Sequence, residues 1–433
     1  MPDGITSIFL TNEQKMGSLP LRILTYTNLF PNCLRPNFGI FVKNRMKTFV
    51  RHGNAQLDVI SPVPYFPRLP WNTRWKVFSL IPREENQEGI SVYHPRYLVS
   101  PKFGMRTHGY MMYRSTRDLA HRLHETNPYH LVDAHWIYPD GFAAVKIAKE
   151  LGLPVVLSAR GNDINEYIDY PAIRHSITWS LASCDHIISV CEALKDLILS
   201  LGIPDSKVTV IGNGIDKSAF YPTEKATARQ QLALPLNKRI VLSVGILDPR
   251  KGHDILIKAL HLLRQRGVEI PFLYIIGAGR FGESLKGLID TLRLGEHVYL
   301  VGEIPHKALN MWYSAADVFC LASDREGWPN VLLEAIGCGT PVVVSRVFGA
   351  PEIVSSDDVG LLVDERTPEA FAARILQAFD QKWELKKLVE FAEQFSWDKT
   401  ALAVRKVFLN VLNCPNDSAI WKTKDENYSL CSF

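Results

Sequence analysis

The sequence predicts an α/β protein with two doubly wound halves, and three observations support this. Short runs rich in β-branched residues alternate with segments of helical spacing, which is typical of β-α-β units around a parallel sheet. This alternation occurs twice, on either side of a polar segment at 212–238 that carries Gly and Pro. The length of 433 residues also fits two or three domains.

In the first half, short apolar runs bounded by turn residues predict the strands. They lie at 23–26, 57–60, 131–134, 155–158, 186–190 and 208–211. Segments of helical spacing between them predict helices at 39–51, 141–150 and 192–200. We therefore place a first domain at 20–212.

The second half repeats the pattern and predicts a second domain at 213–396. Its strands are expected at 240–244, 273–276, 298–301, 318–321, 341–344 and 360–363. The segment WDKTALAVRKVFLNVL at 397–412 has helical spacing and predicts a last helix. The tail at 413–433 is expected to be loosely ordered.

Composition excludes several classes of protein. Hydrophobic residues make up 46% and charged residues 22%, as in ordinary globular enzymes. A net charge of +4 does not indicate a nucleic-acid partner, and seven scattered cysteines without a C-x-x-C pair indicate neither a disulfide framework nor a zinc site. Without a long apolar run or a signal-peptide pattern, we expect a cytoplasmic protein that is soluble or attached to the inner membrane face.

Positive charge is concentrated in the first quarter of the chain. Between 21 and 120 there are 15 Lys and Arg against 5 Asp and Glu. Lys43 and Lys47 fall one helical turn apart, opposite an apolar face. Aromatic residues accompany them: Tyr65, Phe66, Trp71, Trp75, Tyr93, Tyr97, Tyr110 and Tyr113. This pattern predicts contact with an anionic membrane surface, and a solvated helix face is the alternative.

The most informative segment is SDREGWPNVLLEAIGCGTPVVVS at 323–345. Pro329 suits the first position of a helix over 330–337, which would open just after Gly327. The free N–H groups of such a helix favour an anion, above all phosphate. Glu326 and Glu334 would then border one cleft and accept hydrogen bonds from sugar hydroxyls. A capped helix with a solvated Glu at each end is the alternative.

EGWPNVLLEA followed by CGTPVV resembles the donor-site signature of the retaining glycosyltransferases of family 4, the group 1 transferases. The resemblance covers about 21–412. Within the family, the chain is similar to members that build cell-surface polysaccharides. It implies the glycosyltransferase B fold, two Rossmann-like domains facing across a cleft, with the last helix returning to the first domain. It also implies transfer, with retention of anomeric configuration, from a nucleotide-diphosphate sugar to an acceptor hydroxyl.

The resemblance assigns catalytic roles to His135, Lys251 and Glu326. Lys251, with the amides around Gly327, would stabilise the leaving diphosphate. Glu326 would hold sugar hydroxyls and the developing positive ring, and His135, in LVDAHWIYPDG, would face the donor sugar. Glu334 would hold the ribose.

Further donor-binding residues are implied in the same way. They are Gly39, Asp163, Arg250, Gly327, Trp328 and Asn330. For Asp163 an Asx turn is the alternative. Arg160 stands where several relatives have His. Many members carry Arg directly after the strand glycine, where this chain has Ile246, and Arg250 is the candidate substitute.

No D-x-D motif occurs in the sequence, so we expect neither a metal ion nor another cofactor. The expected partners are a nucleotide sugar donor, a sugar or lipid-linked acceptor and an anionic membrane surface. Other functions remain open at this stage. A nucleotide-sugar 2-epimerase would share the architecture, and a non-catalytic nucleotide-sugar-binding protein would explain Ile246.

A competing motif is GAGRFG at 277–282, which fits the dinucleotide fingerprint G-x-G-x-x-G after a strand, with Glu303 after the next strand. On spacing alone it would indicate a nicotinamide-dependent dehydrogenase. Against this, a complete β-α unit precedes the motif within its domain, and one nicotinamide site would leave the other half of the chain unexplained.

Overall fold

A computed structural model describes residues 20–53, 55–65, 77–99 and 104–413. Phe66, Trp71 and Trp75 and the tail from 414 lie outside the described residues. The described strands form two large sheets and one small one, and helices lie between the strands along the chain. This is the α/β class that the alternating pattern predicts.

The strands from 21 to 210 supply the first large sheet and the small one. They are β1 (Leu21–Tyr26), β2 (Ala55–Ile60), β3 (Val63–Tyr65), β4 (Glu84–Gln87), β5 (Ile90–Tyr93), β6 (Arg96–Leu98), β7 (Leu131–His135), β8 (Val155–Ala159), β9 (His186–Ser189) and β10 (Val208–Val210). The large sheet has the order β10-β9-β8-β7-β1-β2-β5-β4, and β3 pairs with β6. Neighbours are parallel except β4 and β5.

The described helices of this part lie between the strands along the chain. They are α1 (Ile40–Gly53), α2 (Met105–Thr126), α3 (Phe142–Leu151), α4 (Asn162–Asn165), α5 (Pro171–Ser183) and α6 (Glu192–Ser200). The three predicted helices at 39–51, 141–150 and 192–200 are confirmed as α1, α3 and α6, with ends that differ by two residues or fewer.

The second large sheet contains β11 (Ile240–Val244), β12 (Phe272–Ile276), β13 (Val298–Gly302), β14 (Val318–Leu321), β15 (Val342–Ser345) and β16 (Gly360–Val363). Its order is β13-β12-β11-β14-β15-β16, and all neighbours are parallel. The helices that accompany it are α7 (Lys225–Gln231), α8 (His253–Gln265), α9 (Gly282–Thr291), α10 (Leu309–Ala315), α11 (Asn330–Gly337), α12 (Ala350–Ile353), α13 (Pro368–Asp380) and α14 (Leu385–Ala392).

Central strands are buried along their whole length. This holds for β7, β8, β11, β14 and β15. Parallel strands covered on both faces read as continuous apolar runs, which is why the sequence locates them to within one or two residues.

The sequence pattern missed four strands between 63 and 98. β4 has the sequence EENQ and lies at the antiparallel edge of the sheet, where half of its side chains are exposed. β3 and β6 have three residues each. Short or polar edge strands carry little apolar periodicity, so the pattern that locates buried strands does not detect them.

The last helix, α15 (Trp397–Asn413), packs on the first half, as the resemblance implies. The ring centroids of Phe408 on this helix and Phe49 on α1 lie 5.4 Å apart. Arg51 on α1 donates to the Asp398 carboxylate at 3.0 Å. The last described helix therefore lies on the first half of the chain.

The glycines of GAGRFG have a packing role. A Cβ on Gly277, whose φ is +147°, would lie 1.9 Å from the Gly245 carbonyl oxygen, and one on Gly279 would lie 2.2 Å from that of Leu247. These contacts require glycine because the loop after β12 touches the backbone of the loop after β11. The first two glycines of the motif are explained by this contact without a bound dinucleotide.

Candidate active site

A cleft lies between loops that follow the carboxyl ends of strands in both large sheets, where open α/β folds bind ligands. The loop after β8 and the loop after β14 touch. A Cβ on Gly327 would lie 2.1 Å from the Arg160 carbonyl oxygen, and the Cα of Gly161 is also within contact distance. Glycine at 327 therefore permits the backbones of the two halves to meet.

Helix α11 begins at the predicted residue. Pro329 is its N-cap, one position before the predicted one, and no side chain caps its first amides. A helix N-terminus without a side-chain acceptor favours an anion. The local geometry of the predicted phosphate site is therefore present.

Lys251 and Glu326 form an ion pair beside this helix. The distance between Lys251 Nζ and Glu326 Oε1 is 2.5 Å, and the Ser323 hydroxyl donates to the same oxygen at 2.6 Å. Both side chains are largely buried, with 23% and 11% of their surface exposed. The structure thus brings together two of the three predicted catalytic residues.

Arg250, the proposed substitute for the missing arginine, links the two halves instead. It donates to Glu166 Oε2 of the first half and to Asp248 Oδ1, each at 3.0 Å. Arg325 makes a second link, because it donates to the Asn165 carbonyl at 2.7 Å. Both arginines hold the walls of the cleft together in this structure.

Trp328 and Asn330 contact the segment that joins the halves. A Cβ on Gly212 would lie 2.7 Å from the Trp328 ring. The Asn330 side-chain oxygen accepts from Asn213 Nδ2 at 3.2 Å. Their predicted donor contacts stay predictions, and their contacts in the structure are with the joining segment.

Glu334 is buried within α11 and both of its oxygens accept hydrogen bonds. His306 Nε2 donates to one at 2.9 Å, and the Tyr313 hydroxyl donates to the other at 2.8 Å. Burial lowers the pKa of His306, but the Glu334 carboxylate raises it more, so this pKa lies above the usual 6.5. The sequence analysis missed His306 and Tyr313, because nothing local connects residues so distant in the chain.

The raised pKa of His306 predicts a pH-dependent contribution to stability. Because the folded value exceeds the unfolded one, the contribution is complete below pH 6.5 and is lost as pH rises through the folded value. We expect His306→Gln to lower the free energy of unfolding by about 1 kcal/mol near pH 6 and by less near pH 9. Urea unfolding at both pH values measures this, and an equal difference at both would contradict it.

His135, the third predicted catalytic residue, is completely buried. Its Nε2 lies 3.1 Å from Asp133 Oδ2, and its Nδ1 contacts Arg160 Nη2. Burial lowers the pKa of His135 to about 3, so the ring is neutral. Its Nδ1 accepts from Arg160, and its Nε2 lies against Asp133 with no hydrogen-bond partner among the described residues. Contact between His135 and a sugar stays a prediction, since Arg160 occupies one ring nitrogen and the Asp133 carboxylate lies against the other.

A second arginine completes this buried group. Arg45 on α1 lies 3.6 Å from Asp133 Oδ1 and donates to the Ser158 hydroxyl at 2.9 Å. The sequence analysis missed Asp133 and Arg45, although signals existed. Asp133 is two residues before His135 on a strand and so shares its face, and Arg45 follows the buried Val42 by three positions on a helix.

Asp163 and Gly39 have local structural roles. The Asp163 carboxylate accepts from the backbone N–H groups of Ile137, Arg160 and Gly161 at 2.9, 3.0 and 2.8 Å. This supports the turn alternative for Asp163. Gly39 has a φ of +67°, and a Cβ there would lie 2.3 Å from the Leu29 carbonyl oxygen, so glycine is required by the backbone.

The basic face predicted on α1 is partly neutralised. Lys43 and Lys47 both pair with the Glu88 carboxylate, and Lys43 Nζ lies 3.1 Å from it. None of the described helices is long and apolar enough to span a bilayer. In the same part of the chain, no group of three His, Cys, Asp or Glu residues is placed to hold a metal ion.

Solved structures with this architecture are glycosyltransferases and related sugar-transfer enzymes. Sucrose-phosphate synthase from Thermosynechococcus elongatus matches with a TM-score of 0.74 and 21% identity, over 90% of this chain and 99% of that one. Anabaena HepE in complex with UDP and glucose matches with a TM-score of 0.67 and 18% identity, over 89% and 98%. The fold is therefore that of a glycosyltransferase B enzyme.

Sequence comparison identifies the family. The family model of glycosyl transferases group 1 matches residues 224–395, and that of glycosyltransferase family 4 matches 72–219. TuaC of Bacillus subtilis is 26% identical over 402 residues, 90% of this chain and 99% of that protein. A D-inositol 3-phosphate glycosyltransferase of Thermobispora bispora is 31% identical over 236 residues, 52% of this chain and 55% of that protein.

The chain belongs to the group 1 glycosyltransferases and transfers a sugar from a nucleotide sugar donor. The family and fold inferred from EGWPNVLLEA are confirmed. The dehydrogenase interpretation of GAGRFG is wrong, because that segment lies within the group 1 match.

Proposed function

We propose that this enzyme transfers a sugar, with retention of anomeric configuration and without a metal ion, to a hydroxyl of a sugar or lipid-linked acceptor. The observation that carries the proposal is the Lys251–Glu326 pair, 2.5 Å long, beside the uncapped N-terminus of α11. A cation and helix amides suit a diphosphate, and a carboxylate beside them suits sugar hydroxyls. The name of TuaC assigns that relative to teichuronic acid biosynthesis, which supports a role in cell-surface polysaccharide or glycolipid assembly.

In the proposed reaction, the bond between the sugar C1 and the diphosphate oxygen breaks and its electron pair stays on the diphosphate. The acceptor oxygen forms the new bond to C1 on the same face, and its proton passes to the departing phosphate oxygen. Lys251 and the α11 amides stabilise the charge that develops on the leaving group. Glu326 stabilises the developing positive charge on the sugar ring, and no covalent bond to the protein forms.

Glu334 holds the ribose in this proposal. Its carboxylate already accepts from His306 and Tyr313, which fix its position within α11. A carboxylate has about four lone-pair sites, so both oxygens can accept further hydrogen bonds from ribose hydroxyls. The pre-existing network then lowers the cost of orienting the side chain when the donor binds.

A lipid-linked acceptor would place the enzyme on the inner face of the cell membrane. Surface residues of the first half support this part of the proposal. Arg106, Tyr110 and Arg114 are exposed on α2. Lys146 Nζ and Lys149 Nζ lie 5.5 and 5.2 Å from the centre of the Trp179 ring. Basic and aromatic side chains together favour an anionic lipid surface.

The test is a mass-spectrometric screen of UDP-, GDP- and ADP-sugars for release of free nucleoside diphosphate. We expect release from one donor, and we expect it to fall at least about tenfold in Glu334→Ala, which removes the ribose contact. Glu283→Ala is the matched control, because that carboxylate is exposed and pairs only at the surface with Lys286, at 2.8 Å.

Other outcomes would overturn the proposal. If no donor releases nucleoside diphosphate, with or without membrane lipid acceptors, the result would favour a non-catalytic nucleotide-sugar-binding protein. Conversion of a UDP-sugar to its 2-epimer without an acceptor would favour the epimerase. Inversion at C1, read from the anomeric proton coupling of the product, would exclude retention.

A further inference from the structure

Arg160 contacts the segment that joins the halves and has an incomplete set of hydrogen-bond partners. Its Nη1 donates to the Asn213 side-chain oxygen at 3.0 Å, and its Nη2 donates to His135 Nδ1. Its Nε is buried and has no hydrogen-bond partner among the described residues. A guanidinium has five N–H donors, so a buried one with neutral partners and an unused donor favours binding of an anion.

Other basic residues of the loops where the two halves meet are already paired with carboxylates. Lys251 pairs with Glu326, and Arg250 pairs with both Asp248 and Glu166. Arg325 lies 3.7 Å from Asp169. The acceptors of the Arg160 guanidinium, by contrast, are the side-chain amide of Asn213 and the neutral imidazole of His135.

The two acidic residues near Arg160 lie against other groups. Asp133 contacts His135 and Arg45, at 3.1 and 3.6 Å. Asp163 accepts hydrogen bonds from backbone N–H groups, including that of Arg160 itself. They offset the charge of Arg160 through space, while the hydrogen bonds of its guanidinium go to Asn213 and His135.

A short chain of hydrogen bonds connects Arg160 to the phosphate site. Asn213 accepts from Arg160 and donates through Nδ2 to Asn330, the first residue of α11, at 3.2 Å. The Arg160 carbonyl also lies against Gly327, just before the helix. The guanidinium is thus two hydrogen bonds from the helix N-terminus where the diphosphate is proposed to lie.

We infer that Arg160 binds a phosphate oxygen of the donor diphosphate and supplies, from the first half of the chain, the positive charge that Ile246 does not provide. This inference rests on the proposed function. It makes the diphosphate a bridge between the two halves, with Lys251 and the α11 amides on one side and Arg160 on the other. The neutral His135 holds the guanidinium in place by accepting its hydrogen bond.

The experiment is isothermal titration calorimetry with UDP, GDP and ADP, each compared with its monophosphate. We expect Arg160→Gln to weaken nucleoside diphosphate binding about tenfold to a hundredfold and to change monophosphate binding little. Arg160→Lys keeps the charge and should retain part of the affinity. Arg174→Gln is the control for net charge, because Arg174 is exposed on α5. Thermal unfolding of each variant verifies that it is folded.

Unchanged diphosphate affinity in Arg160→Gln, with a raised acceptor KM, would overturn the inference and assign Arg160 to an acidic group of the acceptor. Equal weakening of diphosphate and monophosphate binding would also overturn it, since that result indicates a general structural role. Failure of the unmodified protein to bind any nucleoside diphosphate would instead overturn the proposed function.

Discussion

Lys251→Ala should lower the rate of sugar transfer about a hundredfold, because in the proposed reaction it removes the cation beside the leaving diphosphate. A preorganised donor in a site of this kind contributes about 3 kcal/mol to the transition state. The substitution also leaves Glu326 without its ion-pair partner and with a hydrogen bond from Ser323. The measurement is kcat and kcat/KM with the donor identified by the release screen.

The loss should appear mainly in kcat, since the charge on the leaving group develops in the transition state. Lys258→Ala is the matched control. Lys258 lies on α8, pairs with Asp254 at 2.9 Å and has 46% of its side chain exposed, so its removal should leave kcat unchanged. Wild-type turnover in Lys251→Ala would remove the role assigned to this lysine.

Asp133→Ala should have the largest effect on stability. Asp133 is completely buried and contacts Arg45 and His135 at 3.6 and 3.1 Å. Removing one partner of a buried ion pair leaves the other charge uncompensated and costs about 3 to 5 kcal/mol. Urea unfolding at neutral pH, with and without the substitution, measures this difference.

The stabilisation that Asp133 provides should be lost at acid pH. Burial alone would raise the pKa of Asp133, but His135 and Arg45 lower it to about 2. The stabilisation is therefore present above the unfolded pKa of about 4 and is lost as pH falls toward 2. Asp205→Asn is the surface control, because Asp205 pairs with Lys195 at 2.7 Å but has 71% of its side chain exposed. Equal losses in both variants would contradict the argument.

Much of the candidate site follows from the sequence because its members lie on one short segment. Glu326, Gly327 and Glu334 belong to 323–345, and the strand, loop and helix order fixes where they sit relative to α11. The family follows from the same segment. These are local relations, in which a few residues of known spacing determine the geometry.

The partners of these residues could not be predicted in the same way. His306 meets Glu334, Arg250 meets Glu166 and Arg160 meets Asn213 only after the sheets have formed and the halves have packed. Hydrogen bonds between residues so far apart in the chain leave no periodic signal. The sequence analysis therefore assigned Arg250 to phosphate, whereas the structure places it in an ion pair across the cleft.

The sequence by itself determined the α/β class, the bounds of the buried parallel strands and the helix that opens at Asn330, since apolar periodicity and turn chemistry are local properties. Only the tertiary structure decided that His135 is buried and neutral and that Arg160 donates to it. The reason is that burial and pairing, which set the charge of a side chain and its remaining hydrogen-bond donors, depend on neighbours brought together by packing.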